Sequence, residues 1–254
     1  MKLLRLLAII PVVLLTGCSI DDYTYDEEGY VKLDSDSLEL DDITSLDVDW
    51  INGDISIGYS SLDVLNVRES DSDYPLYYKI TDHNLSIKLA KNGMPSRIIN
   101  KIDKTLSIAL PPTFDKLTVN AVNTYVSVYS YTKINTGVFN LVDGSFNSYI
   151  YAAKETVIDA VNNPFYFSFV DTIMENSTVL DHNMKISAVS SNITMGISLD
   201  NGYEVDWTAV DCHFVAPYQN EKSLGEKKLK IAYNGVRSNL VLNVFDDYAY
   251  MENY

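Results

Sequence analysis

The sequence predicts an all-β chain, a single-domain β-solenoid of short strands wound in coils of about 20 residues. Three observations predict it. From Leu46 onward the chain is rich in Val, Ile, Tyr, Thr and Phe, and it often alternates apolar and polar residues with period two. Helical periodicity is almost absent. A five-residue unit recurs seven times in one frame, and the intervals between its middle copies are 20, 19, 28 and 21 residues.

Each unit is a β-branched residue, three mostly polar turn residues, and the start of an alternating apolar run. It appears as Ile51-Asn52-Gly53-Asp54-Ile55, Val122-Asn123-Thr124-Tyr125-Val126, Val142-Asp143-Gly144-Ser145-Phe146 and Val161-Asn162-Asn163-Pro164-Phe165. It returns as Val189-Ser190-Ser191-Asn192-Ile193, Val210-Asp211-Cys212-His213-Phe214 and Val236-Arg237-Ser238-Asn239-Leu240. Three residues before the β-branched one stand Val48, Val119, Phe139, Ile158, Ile186, Trp207 and Tyr233. Six residues after it stand Ile57, Val128, Ser148, Phe167, Met195, Ala216 and Leu242. Stacked at about 4.8 Å, such coils align like residues in columns and bury a core that no single coil could bury. Asp49, Asn120, Asn140, Asp159, Ser187, Thr208 and Asn234 would then form an outward polar column. The 28-residue step needs an insertion, where Leu180 offers a competing register. A β-sandwich is the competing architecture, although it needs no repeating frame. The one plausible helical turn, 95–104, falls in a connection.

The N-terminus reads differently. Lys2 and Arg5 precede an apolar run over 6–15, broken only by Pro11 and followed by Leu15-Thr16-Gly17-Cys18. That is the layout of an export signal, too short and wrongly flanked for a lasting membrane span. The ending resembles the lipobox of bacterial lipoproteins. The resemblance implies cleavage before Cys18 and a lipid, with palmitate among its acyl groups, on that cysteine. Ser19 implies the outer membrane if the cell is Gram-negative. The expected divisions are a signal peptide over 1–17, an acidic tether over 18–43 with an edge strand near 37–40, a β domain over 44–245, and an acidic tail over 246–254.

The formal net charge is −16, and removal of 1–17 takes two bases and no acid, leaving −18. Such a chain is repelled by nucleic acid and by anionic lipid surfaces. With Cys18 lipidated, Cys212 has no partner, so the fold must be stable without a disulfide. A chain of this size can bury a sufficient core. Cys212 and His213 are neighbours, but strand neighbours point to opposite faces and do not form a dyad.

His83, His182 and His213 show no metal-ligand spacing. Asp82-His83 and Asp181-His182 read as turn pairs. The acidic runs at 34–36 and 69–73 lack the glycine and terminal glutamate of a calcium loop and read as solvated loops. Neither a phosphate loop nor a nucleophile elbow is present, and no cofactor or metal is expected. A polysaccharide lyase or hydrolase would need clustered carboxylates with an Arg or Lys base. Arg68, Arg97 and Arg237 fall in different parts of the repeat, while lysines leave that alternative open.

A binding surface is easier to place. Tyr129 aligns with Tyr149 and Tyr131 with Tyr151, and their inward neighbours are Val128, Ser130, Ser148 and Ile150. Four outward tyrosines on adjacent coils suit a sugar or protein ligand. The plainer reading, a cross-strand ladder that stabilises the sheet or a face covered by a loop, stays open beside it.

Three segments carry a further likeness: the turn Asn52-Gly53-Asp54-Ile55, the strand over 106–111 closing on Leu110-Pro111 before 117–119, and Asn201-Gly202-Tyr203. Together they resemble the DUF4097 family of adhesin-like proteins over about residues 44–245. The resemblance implies a β-solenoid-like fold with no established catalytic residues. The expectation is a lipid-anchored, non-catalytic envelope protein, an adhesin-like binding or scaffold module for a glycan or envelope protein. A polysaccharide-active β-helix enzyme is the alternative.

Overall fold

The computed structural model describes residues 22–35, 37–70, 73–130, 132–150, 154–169, 182–198, 202–225, 227 and 229–245. The signal segment, Cys18, Tyr131, Tyr151, Leu180 and the acidic tail lie outside the described residues. The described chain is nearly all β.

β1 (Asp22–Tyr23), β2 (Val31–Lys32) and β3 (Ser37–Asp41) lead into the first unit, β4 (Ser45–Ile51) and β5 (Asp54–Tyr59). β6 (Val64–Glu69), β7 (Tyr77–Thr81), β8 (Asn84–Lys88), β9 (Met94–Pro95), helix α1 (Ser96–Ile99) and β10 (Thr105–Leu110) follow. The second and third units run unbroken as β11 (Thr113–Ser130) and β12 (Lys133–Ile150). The fourth is β13 (Glu155–Val161) with β14 (Phe165–Phe169), and the fifth is β15 (His182–Val189) with β16 (Asn192–Ser198). The sixth is β17 (Tyr203–Val210) with β18 (His213–Val215). After α2 (Pro217–Asn220) and β19 (Ser223–Leu224), the seventh is β20 (Leu229–Val236) with β21 (Asn239–Phe245).

The anchors divide these strands into two walls. Parallel pairing runs β4, β11, β12, β13, β15, β20 and β17 along the first wall. Along the second it runs β5, the C-terminal halves of β11 and β12, then β14, β16, β21 and β18. In the first wall Val48, Val119, Phe139, Ile158, Ile186, Tyr233 and Trp207 lie in one register column. All are buried except Trp207, which is half-buried. In the second wall Ile57, Val128, Ser148, Phe167, Met195 and Leu242 form a buried column. Phe139 meets Phe146 across the interior with ring centroids 4.7 Å apart, so the walls face each other over one core. Each large apolar side chain in these columns contributes about 1.5–3 kcal/mol by leaving water.

The corner between the walls repeats closely. The residue after each anchor has positive φ in all seven units: Asn52, Asn123, Asp143, Asn162, Ser190, Asp211 and Arg237, between 50° and 63°. Asn and Asp tolerate this left-handed region, whereas Ser190 and Arg237 hold it at about 1–2 kcal/mol each. At the following position Thr124, Ser191, Cys212 and Ser238 each donate to the carbonyl two residues earlier, at 2.9, 3.1, 3.2 and 3.0 Å. Three of these atoms also accept from the next coil. Asn163 N donates to Ser191 Oγ, Ser191 N to Ser238 Oγ and Ser238 N to Cys212 Sγ. Gly53 and Gly144 occupy this position where the backbone approaches too closely for a side chain: a Cβ on Gly144 would lie 2.3 Å from the Thr124 carbonyl oxygen.

Three features depart from the sequence reading. The units do not stack in chain order, because the seventh lies between the fifth and the sixth. Residues 216–228 provide the return, with α2 and β19 along the way. Residues 22–43 are not a free tether. Tyr23, Leu33 and Ile43 are buried, β1 pairs with β9, and β2 pairs with β7. β3, near the expected edge strand, pairs with β6. Finally, Glu69 is not part of a solvated loop. Its carboxylate and the Lys104 ammonium form an ion pair at 2.6 Å with 3 % and 0 % exposed side chains. Lys104 also donates to the Tyr74 carbonyl at 2.5 Å and lies over the Trp50 ring, and Glu69 accepts from Leu76 N. The expected helical turn is α1, in the connection between β9 and β10.

Two stability tests follow from this packing. Gly144→Ala should cost several kcal/mol by combining backbone strain with a clash. Gly93→Ala, also at positive φ but with nothing within 4 Å, should cost only about 1–2 kcal/mol. Equal losses in urea unfolding would refute the close-approach account. Lys104→Met should cost about 3–5 kcal/mol by stranding a buried carboxylate. Adding Glu69→Leu should recover part of that loss.

Candidate functional site

Period-two alternation turns one set of side chains of the second wall outward. Tyr129 and Tyr149 are register partners there; Tyr129 is 51 % exposed and Tyr149 half-buried. Asn147 Nδ2 donates to Tyr129 Oη at 2.5 Å, bridging two coils. Tyr166, register partner of Asn147, and Tyr125, beside Ser145, are 38 % and 43 % exposed on the same face. The parity that marked Tyr129 also marks Tyr125 and Tyr166, which flank the inward residues Val126, Phe165 and Phe167. The expected Tyr131 and Tyr151 lie outside the described residues. What remains is a set of exposed or half-buried tyrosines on backbone paired on both sides.

The outer surface of the first wall carries a different feature, which the sequence reading did not isolate. An open groove of about 560 Å³ is lined by Lys154, Lys185 and Lys230 with Glu155, Glu204 and Asp206. Its floor is low because Ala232 stands between Lys185 and Asp206 in the register. Lys185 pairs with Glu155 at 2.5 Å. Period-two parity turns Glu155, Lys185, Lys230, Glu204 and Asp206 outward, and Lys154 precedes β13, but their convergence depends on the out-of-order stacking that seats β20 between β15 and β17.

The remaining candidates have structural roles. The Cys212 thiol completes the corner ladder, while the His213 ring turns to Asn239 Oδ1 at 3.2 Å. They share no hydrogen bond of a dyad. His83 sits in the expected turn with Nδ1 at 2.8 Å from the Asp42 carbonyl. His182, in contrast, begins a strand and is 1 % exposed. Desolvation lowers its pKa to about 4, opposed by the nearby Glu155 carboxylate. Among the described residues no three His, Cys, Asp or Glu side chains converge as a metal site. No helix among them is long and apolar enough to cross a membrane.

Solved structures that share likeness with the chain include three candidate adhesion proteins. A candidate cell adhesion protein from Clostridium sporogenes is 10 % identical with a TM-score of 0.45, over 82 % of this chain and 99 % of that one. A candidate adhesin from Bacteroides fragilis is 11 % identical with a TM-score of 0.36, over 85 % and 98 %. A candidate adhesin from Parabacteroides distasonis is 10 % identical with a TM-score of 0.35, over 88 % and 99 %. No family model matches, and no curated protein matches significantly, so the resemblance to DUF4097 gains nothing from either comparison.

The His182 environment predicts an acid-sensitive fold. The native state holds this ring neutral down to about pH 4, whereas the unfolded chain protonates it near pH 6.5. Its contribution is therefore unchanged above 6.5 and falls by about 3 kcal/mol as pH drops from 6.5 to 4. His182→Gln should flatten the difference in unfolding free energy over that window. Parallel pH profiles for the two proteins would refute it.

Proposed function

We propose that this chain is a lipid-anchored, non-catalytic envelope protein. In this reading it is a β-solenoid that presents the tyrosine wall to a glycan or an envelope protein, in the manner of an adhesin. Export over 1–17 and lipid attachment at Cys18 rest on the N-terminal pattern. The solenoid description is supported by seven corners of one conformation and two in-register parallel walls. The observation that carries the binding reading is the outward cluster Tyr125, Tyr129, Tyr149 and Tyr166 on a rigid wall. Aromatic faces with hydroxyl rims bury apolar sugar or protein surface while keeping hydrogen bonds, and the wall holds them with little ordering cost on binding.

A second reading is favoured by the groove. Lys185 and Lys230 beside Glu204 and Asp206 offer both a cation for a uronate carboxylate and a base. The groove is open, and one of its lysines is already ion-paired, so the binding module is the better account.

A glycan and envelope-fraction binding screen on the full chain, run beside Tyr129→Ala/Tyr149→Ala, separates these. The binding reading expects the variant to lose at least about tenfold in affinity, about 1.4 kcal/mol, with melting unchanged. Equal binding by both proteins, or none by either, would leave the tyrosines as a structural ladder. Unsaturated products released from a polyuronate would favour the groove enzyme.

A further inference from the structure

We infer that the face built by β9, α1 and the residues around them, 91–101, lies against the membrane surface, with Lys91, Arg97 and Lys101 directed at lipid phosphates. The inference rests on lipid attachment at Cys18. Between Cys18 and Asp22 there are four Cα steps, which span at most about 14 Å however the chain is drawn out. From Asp22 the chain is already part of the fold. Asp22 and Tyr23 pair with Pro95 and Met94, and Gly93 N donates to the Tyr23 carbonyl at 2.8 Å. Tyr23 is 8 % exposed. Tyr25 N donates to Asn92 Oδ1 at 2.8 Å, and Tyr25 Oη donates to the Ala90 carbonyl at 3.1 Å. A lipid at Cys18 therefore cannot hold the domain at a distance.

The surface at this attachment point differs in charge from the rest of the chain. Residues 83–102 hold no Asp or Glu, in a chain with 35 acids. Lys91, Arg97 and Lys101 are exposed, and none of the ion pairs among the described residues uses them. Acids do border the face: Asp22 is exposed on β1, Glu27 accepts from Asn92, and Asp103 follows the cationic stretch. A strongly acidic protein is repelled by a phospholipid surface overall, so its tethered face is where local cations have most effect. The orientation also points the far coils away. Lys185 and Lys230 lie on β15 and β20, four and five strands along the first wall from β4, about 19 and 24 Å at strand spacing.

Lysine footprinting tests this on the full lipidated protein in phosphatidylcholine vesicles containing phosphatidylglycerol. Lys91, Lys101, Lys185 and Lys230 are all exposed, and because Lys185 is ion-paired with Glu155 each lysine's reactivity towards a membrane-impermeant acylating reagent is expressed relative to its own value without a bilayer. On vesicles, Lys91 and Lys101 should react at least fivefold more slowly than Lys185 and Lys230. Inserting a 20-residue Gly/Ser linker after Ser19 should abolish the difference while the lipid remains. Mass spectrometry of the N-terminal peptide separates the two ways to fail. A lipid on Cys18 with four equally reactive lysines overturns the orientation and leaves lipid attachment standing. No lipid on Cys18 overturns both.

Discussion

The fold depends on one corner. Seven times the chain reaches a β-branched residue, enters the left-handed region for a single residue, and leaves in the direction of the facing wall. That residue sets where each coil bends, so every coil bends at the same height and side chains fall into columns. The next position then makes the coils depend on each other. In the last three units of the sequence the hydroxyl or thiol of Ser191, Cys212 and Ser238 is buried or half-buried, bonds back within its own corner, and accepts an amide from the neighbouring coil. An isolated coil would leave these groups unpaired and its apolar face wet, so the stack gains stability only as a set. Cys212 belongs to this column, and its thiol does there what serine does elsewhere.

The two ends of the stack are solved differently. At the N-terminal end the parallel ladders pass into antiparallel strands, β8 with β7 and β2 on one wall, β10 with β6 and β3 on the other. The Lys104–Glu69 pair is buried at this end, together with Leu65, Leu76, Leu85 and Leu106. At the other end the core finishes on aromatic rings. Trp207 of the last coil stacks on Tyr233 with centroids 4.4 Å apart and planes at 7°, and Phe214 meets Trp207 at 5.4 Å. Seating the seventh unit inside the sixth places fully buried Tyr233 in the core and leaves Trp207 half-covered.

Legibility followed the same division. Strand content, the seven-unit frame, both inward columns and the outward face of Tyr129 and Tyr149 were readable, because each depends on period-two parity within a few residues. The same parity places Tyr125 and Tyr166 on that face. His182 was not readable as a buried ring. Its neighbour Asp181 suggested a turn, and only the pairing of β15 with β13 and β20 covers it. Glu69 looked like one of a run of solvated acids until Lys104, 35 residues away, was brought beneath it. The acidity of 18–43 suggested a tether, yet buried Tyr23 and Leu33 dock that segment.

By itself, then, the sequence determined where strands run, which way their side chains alternate, and where the chain turns, since backbone sterics decide these locally. It also carries the N-terminal pattern from which export and lipid attachment are proposed. The order of the coils, the burial of Glu69, Lys104 and His182, and the gathering of charges from four coils into one groove came from tertiary contacts. Those outcomes depend on which strand lies beside which. Any two of these coils offer the same unpaired backbone edge and similar apolar columns, so local pattern cannot choose between them.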